Sequence, residues 1–297
     1  MTISELLILA SSGIFAGVLA GFLGIGGGTV LVPIMLALGY EPVNAVATST
    51  LSIMITSISG SLQNWRMGYL SLNRVFGIGF PALITAQIGA YLANLFSAKI
   101  LLILFGLLLW LNIYLVEVRK KVTQQNKQQE ENQNSPQLEV PSQNSTSKKF
   151  IPEILFPITP HPLSLVFEYQ HNYKQLQYQQ IARIITGSLA GLLAGLFGIG
   201  GGVIMVPMQI LLLNETIKTS IQTSLGVIVI TAFSACLGHA FQGNVIWVSG
   251  TILGLGGLFS AQISTQFLPN LSEKTVSLAF RSLLFILSIY VFWKAFQ

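Results

Sequence analysis

The chain has 297 residues, of which 52% are apolar and 8% charged, with a formal net charge of +5 and a mean hydropathy of +0.68. Charged residues make up about a quarter of ordinary soluble chains, so this composition excludes a water-soluble globule of the same length. There is no Asp and only one cysteine, Cys236, which excludes disulfide frameworks, thiolate metal sites and Asp-dependent phosphoryl transfer.

In chain order, residues 5–22 are the first apolar stretch near the ~20 residues needed to cross a bilayer. No basic run precedes it, so it reads as mature structure rather than a signal peptide. It leads into GFLGIGGGTVLVP (21–33) and a short apolar piece, 29–38. At ~1.5 Å per residue that piece covers about half a bilayer. Further full-length stretches follow at 45–62, 72–95 and 100–118.

Residues 119–180 then turn to Gln, Asn, Ser, Pro and Lys, and hold seven of the fifteen basic and five of the ten acidic residues. The run QQNKQQEENQNSPQ cannot bury enough apolar surface to offset its ordering entropy, which predicts a low-complexity linker. Within it, 150–167 is more apolar, but Pro152, Pro157, Pro160 and Pro162 argue against a spanning helix. The apolar pattern resumes at 181–197, is broken again by GLFGIGGGVIMVP (195–207), and continues with a short piece at 203–213 and full-length stretches at 219–240, 245–268 and 276–296.

The two glycine motifs repeat at an offset of 174, and downstream the correspondence continues at 175: Ala47-Thr48-Ser49 with Gln222-Thr223-Ser224, Gly68 with Gly243, and Ala86-Gln87-Ile88 with Ala261-Gln262-Ile263. The expected fold is therefore all-α, a polytopic membrane protein of two homologous helical repeats, 1–118 and 181–297, joined by the linker 119–180. A half-length helix joined to a full one through glycine backbone is how transporters build discontinuous or re-entrant elements. If the short pieces turn back, the repeats are inverted; straight crossing would make them parallel. Their shortness favours inversion. Arg66, Arg74, Arg119, Lys120, Lys121 and Arg183 gather on one side, which places the linker in the cytoplasm by the positive-inside rule. That distribution orients the chain in a membrane and offers no basic face to nucleic acid.

The candidate site rests on the two motifs. In Gly24, Gly26, Gly27 and Gly28, and in Gly198, Gly200, Gly201 and Gly202, the missing side chains allow positive φ, so that successive amides, those of Thr29 and Val203 included, can point to one spot. The helix that follows presents its positive end there, and both features attract an anion without a buried cation. The bland alternative is that small residues merely permit close helix packing. Thr48 and Ser49, matched by Thr223 and Ser224, could offer hydroxyls to an oxyanion or bond back to their own helices. Gln87 and Gln262 occupy matched mid-span positions, as substrate-path or interhelical amides. Asn64 and His239 align across the repeat; Glu41 and Glu215 follow the half-helices and are expected at the water boundary.

With these motifs and duplicated halves, the sequence resembles the sulfite exporter TauE/SafE family of membrane transporters. The resemblance spans both apolar halves and leaves out the linker. It implies a secondary transporter of sulfite or a sulfur-bearing organic anion such as sulfoacetate, in the inner or another cell membrane. Neither a catalytic residue, a metal nor a cofactor is expected, and the coupling ion, proton or sodium, and the oligomeric state stay open. The competing readings are a non-transporting scaffold or receptor and a carrier of another small solute. An intramembrane enzyme would need a constellation that three histidines and no Asp do not supply; a cation carrier would need intramembrane carboxylates. Deleting residues 123–149 should leave uptake into vesicles near the wild-type rate at equal membrane abundance, since the linker's composition offers no core.

Overall fold

The computed structural model describes the backbone of residues 3–114 and 162–296. Most of the expected linker, 119–161, lies outside the described residues. The chain divides into two compact units, Met1–Arg119 with Gln179–Gln297, and Lys120–Tyr178. The second is described only through the start of one helix; all the other described elements belong to the first.

The described elements are α1 (Ile3–Leu23), α2 (Gly28–Ala37), α3 (Pro42–Arg66), α4 (Leu72–Leu95), α5 (Ala98–Tyr114), α6 (Pro162–Phe197), α7 (Gly202–Leu213), α8 (Ile217–Phe241), α9 (Trp247–Phe267), a 3-10 turn (Leu268–Asn270) and α10 (Glu273–Ala295). The described residues form helices only, as the long apolar stretches predict. Six helices, α1, α3, α4, α8, α10 and the Leu176–Phe197 part of α6, are long and apolar enough to cross a membrane. The chain is a multi-pass membrane protein. The sequence predicts eight full-length stretches. The described part of α5 is shorter than that length, and α9, although 21 residues long, is diluted by Ser249, Gly250, Thr251, Gly254, Gly256 and Gly257. α6 begins at Pro162, inside the expected linker; a proline is tolerated at the first helical position because its missing N–H would have had no intrahelical partner.

Helix ends follow local chemistry. Pro42 opens α3, the Thr216 hydroxyl accepts the Thr219 N–H at 3.2 Å ahead of α8, and the Ser272 hydroxyl accepts the Thr275 N–H at 3.1 Å ahead of α10.

Apolar side chains cover the outside and small residues line the contacts, as expected of a body immersed in lipid. Along α4, Phe76, Phe80, Ile84, Ile88, Tyr91 and Leu95 are exposed, whereas Gly79, Ala82, Ala86, Gly89, Ala90 and Ala93 are buried. Lipid tails solvate the large residues, so helix association relies on close backbone approach instead. The closest seams are α1 on α9 and α6 on α4. Gly13, Gly17 and Gly21 abut the carbonyls of Leu253, Gly257 and Ala261; Gly187, Gly191 and Gly195 abut those of Ile78, Ala82 and Ala86. Every position in the first seam maps onto one in the second by the sequence offsets of 174 and 175.

Contact order along each seam also fixes helix direction. α1 and α9 run parallel, as do α6 and α4. α3 runs with α9, through Leu51 on Gly250, Ile55 on Gly254 and Thr56 on Gly257. α8 runs with α4, through Val75 on Gly226 and Ile230 on Gly79. α3 ends at Arg66 and α4 starts at Leu72, and α3 crosses α8 in the opposite sense, with Ile53 beside Ile228 and Gly60 beside Leu225. So α1, α3 and α9 point one way and α4, α6 and α8 the other. α3 and α8 sit innermost and carry most of the buried hydroxyls, among them Thr48, Ser49, Thr50 and Ser52, and Ser220, Thr223, Ser224 and Thr231.

Because a Cβ at Gly191 would already collide with Ala82 O, Gly191→Ala should force α6 off α4. A loss of about 1–3 kcal/mol is expected from this overpacking, read as a lower melting temperature in detergent. Gly77→Ala, whose Cβ would meet only the flexible Arg183 side chain, should melt as the wild type does.

Candidate functional site

Each glycine motif is a reversal of the chain. Gly24, Gly26 and Gly27 hold φ of 66°, 74° and 78°, and Gly198, Gly200 and Gly201 hold 63°, 72° and 81°, a left-handed run that only glycine adopts without strain. The result is a return of the backbone alongside the helix it has just left: a Cβ on Gly27 would stand 2.8 Å from Ala16 O, about two turns back along α1. The ten residues of α2 then run ~15 Å towards the end where α1 began, and Tyr40 just beyond them reaches Ser249 near the start of α9 at 3.0 Å. Gly201 lies against Ala190 O in the same manner, so α7 folds back on α6. Both short helices are re-entrant.

The two reversals touch. A Cβ on Gly28 would strike Gly198 O, and one on Gly202 would strike Gly24 O. Two hydroxyls tie them crosswise: Ser49 Oγ donates to Gly198 O at 2.7 Å, and Ser224 Oγ donates to Gly24 O at 2.8 Å. Each also lies within reach of its own helix, at Val46 O and Ile221 O. The single hydroxyl proton of each serine is thus committed to carbonyls, and its part is to hold the opposite glycine break in place.

The N-termini of α2 and α7 therefore meet at the centre of the body. The first amides of a helix have no intrahelical acceptor, and each helix end carries roughly half a positive charge. Val30 N and Leu31 N are bonded to Gly27 O, and Met205 N to Gly201 O; the amides ahead of them point out of the helix. Thr29 and Val203 are fully buried there, and Thr29 Oγ1 has no hydrogen-bond partner. Pro33 and Pro207 inside the two helices lack the N–H that would have bonded Thr29 O and Val203 O, freeing a carbonyl in each.

Other expected residues are placed elsewhere. Thr48 Oγ1 accepts the Ile246 N–H at 3.0 Å and so fixes the start of α9 on α3. Thr223 is buried on α8, one residue before the tying serine. Gln87 Nε2 donates to Ser234 O at 2.6 Å and lies within 3.1 Å of Ser234 Oγ, an interhelical tie between α4 and α8. Gln262 Nε2 lies 3.5 Å from Gln63 Oε1. Neither amide is among the neighbours of the glycine breaks. His239 bonds Gly195 O through Nε2 at 2.8 Å, whereas its aligned partner Asn64 is buried with both amide atoms unpaired.

Two residues that sequence reasoning missed occupy the middle. Ile53 and Ile228 are fully buried, and each lies against both Gly26 and Gly200. They are related by the offset of 175, and an apolar residue at matched positions on the two innermost helices was the available signal. Thr231 was also missed; its hydroxyl lies 2.9 Å from Gly200 O and 3.2 Å from Ile228 O. Among the described residues there is no group of His, Cys, Asp or Glu suited to a metal ion.

Residues 9–291 match the family described as Sulfite exporter TauE/SafE. The chain belongs to this family of membrane transporters. "Probable membrane transporter protein YunE" of Bacillus subtilis is 25% identical over 297 residues, covering 97% of each chain. "Probable membrane transporter protein MJ0441" of Methanocaldococcus jannaschii is 21% identical over 301 residues, 96% of this chain and 94% of its own. "Sulfite exporter TauE/SafE family protein 3" of Arabidopsis thaliana is 27% identical over 99 residues, 33% of this chain and 21% of its own. No solved structure matches.

Removing one crosswise tie strands a buried carbonyl. Ser49→Ala and Ser224→Ala should each destabilise the protein by about 1–3 kcal/mol, seen as earlier thermal unfolding, with flux reduced more than membrane abundance.

Proposed function

We propose that this TauE/SafE family member is a secondary carrier of a small anion, sulfite or a sulfur-containing organic anion, bound between its two glycine breaks. The observation that carries the reading is the crosswise contact of the breaks, Ser49 on Gly198 O and Ser224 on Gly24 O. It brings two helix N-termini to one place. Two such ends supply roughly one positive charge between them, enough to favour a small anion without a buried Lys or Arg. The binding set is Gly24, Gly26, Gly27, Gly28 and Thr29 from one half, and Gly198, Gly200, Gly201, Gly202 and Val203 from the other. Thr48, Ser49, Thr223 and Ser224 shape the shell from α3 and α8, while Gln87 and Gln262 tie helices away from the breaks. The orphaned Thr29 hydroxyl is the one side-chain donor to the anion.

In this reading the halves 1–118 and 181–297 are inverted repeats around the shared site, with 119–180 as a cytoplasmic linker in the cell membrane. The opposed directions of α1 and α6, α3 and α8, and α4 and α9, which the sequence offsets pair, support it. Alternating access follows from the same geometry. Ile53 and Ile228 fill the space between the breaks, so an anion enters only when one of them withdraws with its helix, opening the site to one end at a time. The protein acts as a carrier and not as an enzyme. A scaffold would have no use for two reversals held against each other by matched serines.

Purified protein in liposomes should take up or release sulfite, thiosulfate or sulfoacetate faster than protein-free vesicles. Thr29→Val keeps the shape and removes the donor, so apparent affinity should fall about five- to tenfold, the equivalent of roughly one hydrogen bond. Unchanged affinity in that variant, or flux no faster than in empty vesicles for every anion tried, would sink the proposal.

A further inference from the structure

Away from the glycine breaks, a polar cavity of about 310 Å³ lies between the first turns of α4 and α8 and the Gln179–Arg183 stretch of α6. Its walls include Arg74, Arg183, Asn214, Glu215, Thr216 and Thr219. Arg74 Nε stands 3.5 Å from Glu215 Oε1, with the glutamate side chain only 11% exposed. Glu215 Oε2 is buried without a hydrogen-bond partner. Lys218, the next cation along α8, donates to Pro269 O at 2.7 Å, so the charged groups facing Glu215 are Arg74 from α4 and Arg183 from α6. One carboxylate between two guanidiniums leaves the cavity with a net positive charge.

We propose that this cavity is a second anion site, taking one small oxyanion on Arg74 and Arg183 together with one proton on Glu215. An oxyanion bridging the two guanidiniums would be repelled by a charged carboxylate beside it. Protonated, Glu215 offers an O–H from the oxygen that now has no partner, and donates it to the anion. One anion enters, one proton passes from solvent to Oε2, and the Arg74–Glu215 ion pair is replaced by an Arg74–anion pair, which gives Oε2 the partner it lacks and leaves Oε1 a neutral carbonyl oxygen in place of a charged one. Burial already lifts the Glu215 pKa above the ordinary carboxylate value, and the two arginines only partly oppose this. An anion that neutralises the arginines removes the opposition and lifts it further.

The fold itself does not require the cavity. By the offsets of 174 and 175, Arg183 corresponds to Leu9 and Arg74 to Ser249 at the opposite end, where Leu9 is fully buried and Ser249 bonds Tyr40. Glu41, in the place of Glu215, is exposed there. Two arginines and a sheltered acid thus stand at one mouth only. The volume is at the small end of the ~300–1,000 Å³ usual for ligand sites, right for an oxyanion with a few waters.

Sulfate is the probe, because it stays fully charged across the neutral range and any proton taken up belongs to the protein. Calorimetric titration of the full-length protein, in buffers of different ionisation enthalpy, should show proton uptake on binding. Affinity should be greatest in acid and fall by up to about tenfold per pH unit above the Glu215 pKa. Glu215→Gln should bind sulfate with little pH dependence and no proton uptake. Arg183→Gln, which leaves the Arg74–Glu215 pair intact, should bind about tenfold more weakly or worse. Thr29→Val should bind here as the wild type does, which separates this site from the glycine site: loss of flux in Thr29→Val tests only the latter. Absence of sulfate binding, binding without proton uptake in the wild type, or undiminished binding in Arg183→Gln would each overturn the proposal.

Discussion

Everything in this body depends on backbone approaching backbone where side chains are missing. In lipid, burying a leucine against another helix gains little over leaving it against acyl chains, so the helices must be held by close packing and by hydrogen bonds. The glycine seams of α1 on α9 and α6 on α4 meet that need, with carbonyls of one helix set against the bare Cα atoms of the other. The large residues are left outside, where Phe76, Phe80, Tyr91 and their like face the membrane.

The same constraint explains the centre. A chain that reverses inside a membrane exposes peptide groups that no water can satisfy, and each would cost several kcal/mol if left bare. Here the carbonyls of Gly24, Gly198 and Gly200 are met by Ser224, Ser49 and Thr231. The amides ahead of Val30 and Met205 at the starts of α2 and α7 have no intrahelical acceptor, and the carbonyls beside them already accept from these hydroxyls. The reversal therefore leaves a donor-rich spot by construction. The glycines that let the chain reverse are thus the same ones on which the proposed anion site rests.

Ile53 and Ile228 add the missing restraint. Two fully buried isoleucines are wedged against both breaks, and under the proposed function they close the space between them. The charged mouth formed by Arg74, Arg183 and Glu215 then makes the two ends chemically unlike, although the helices around them repeat.

The sequence by itself determined the class of the protein: 8% charged residues and a string of apolar stretches leave only a helical membrane protein, because in lipid a helix satisfies its own backbone. It also pointed to the reversals, since a ten-residue apolar piece after a glycine-rich break is too short to cross a bilayer. It did not decide where polar side chains turn. Ser49 and Ser224 read as candidate anion donors and are tied to carbonyls of the opposite break; Gln87 and Gln262 read as matched mid-span amides and serve helix contacts away from it. Glu215, expected at the water boundary, is sheltered beside Arg74. Helix periodicity tells which residues share a face, but a hydroxyl or amide has several acceptors within reach, and only the packing of distant helices selects one. The approach of the two glycine breaks was implied by their repetition, but the crosswise ties of Ser49 and Ser224 across them were a tertiary fact, set by the directions in which α1, α3 and α9 run against α4, α6 and α8.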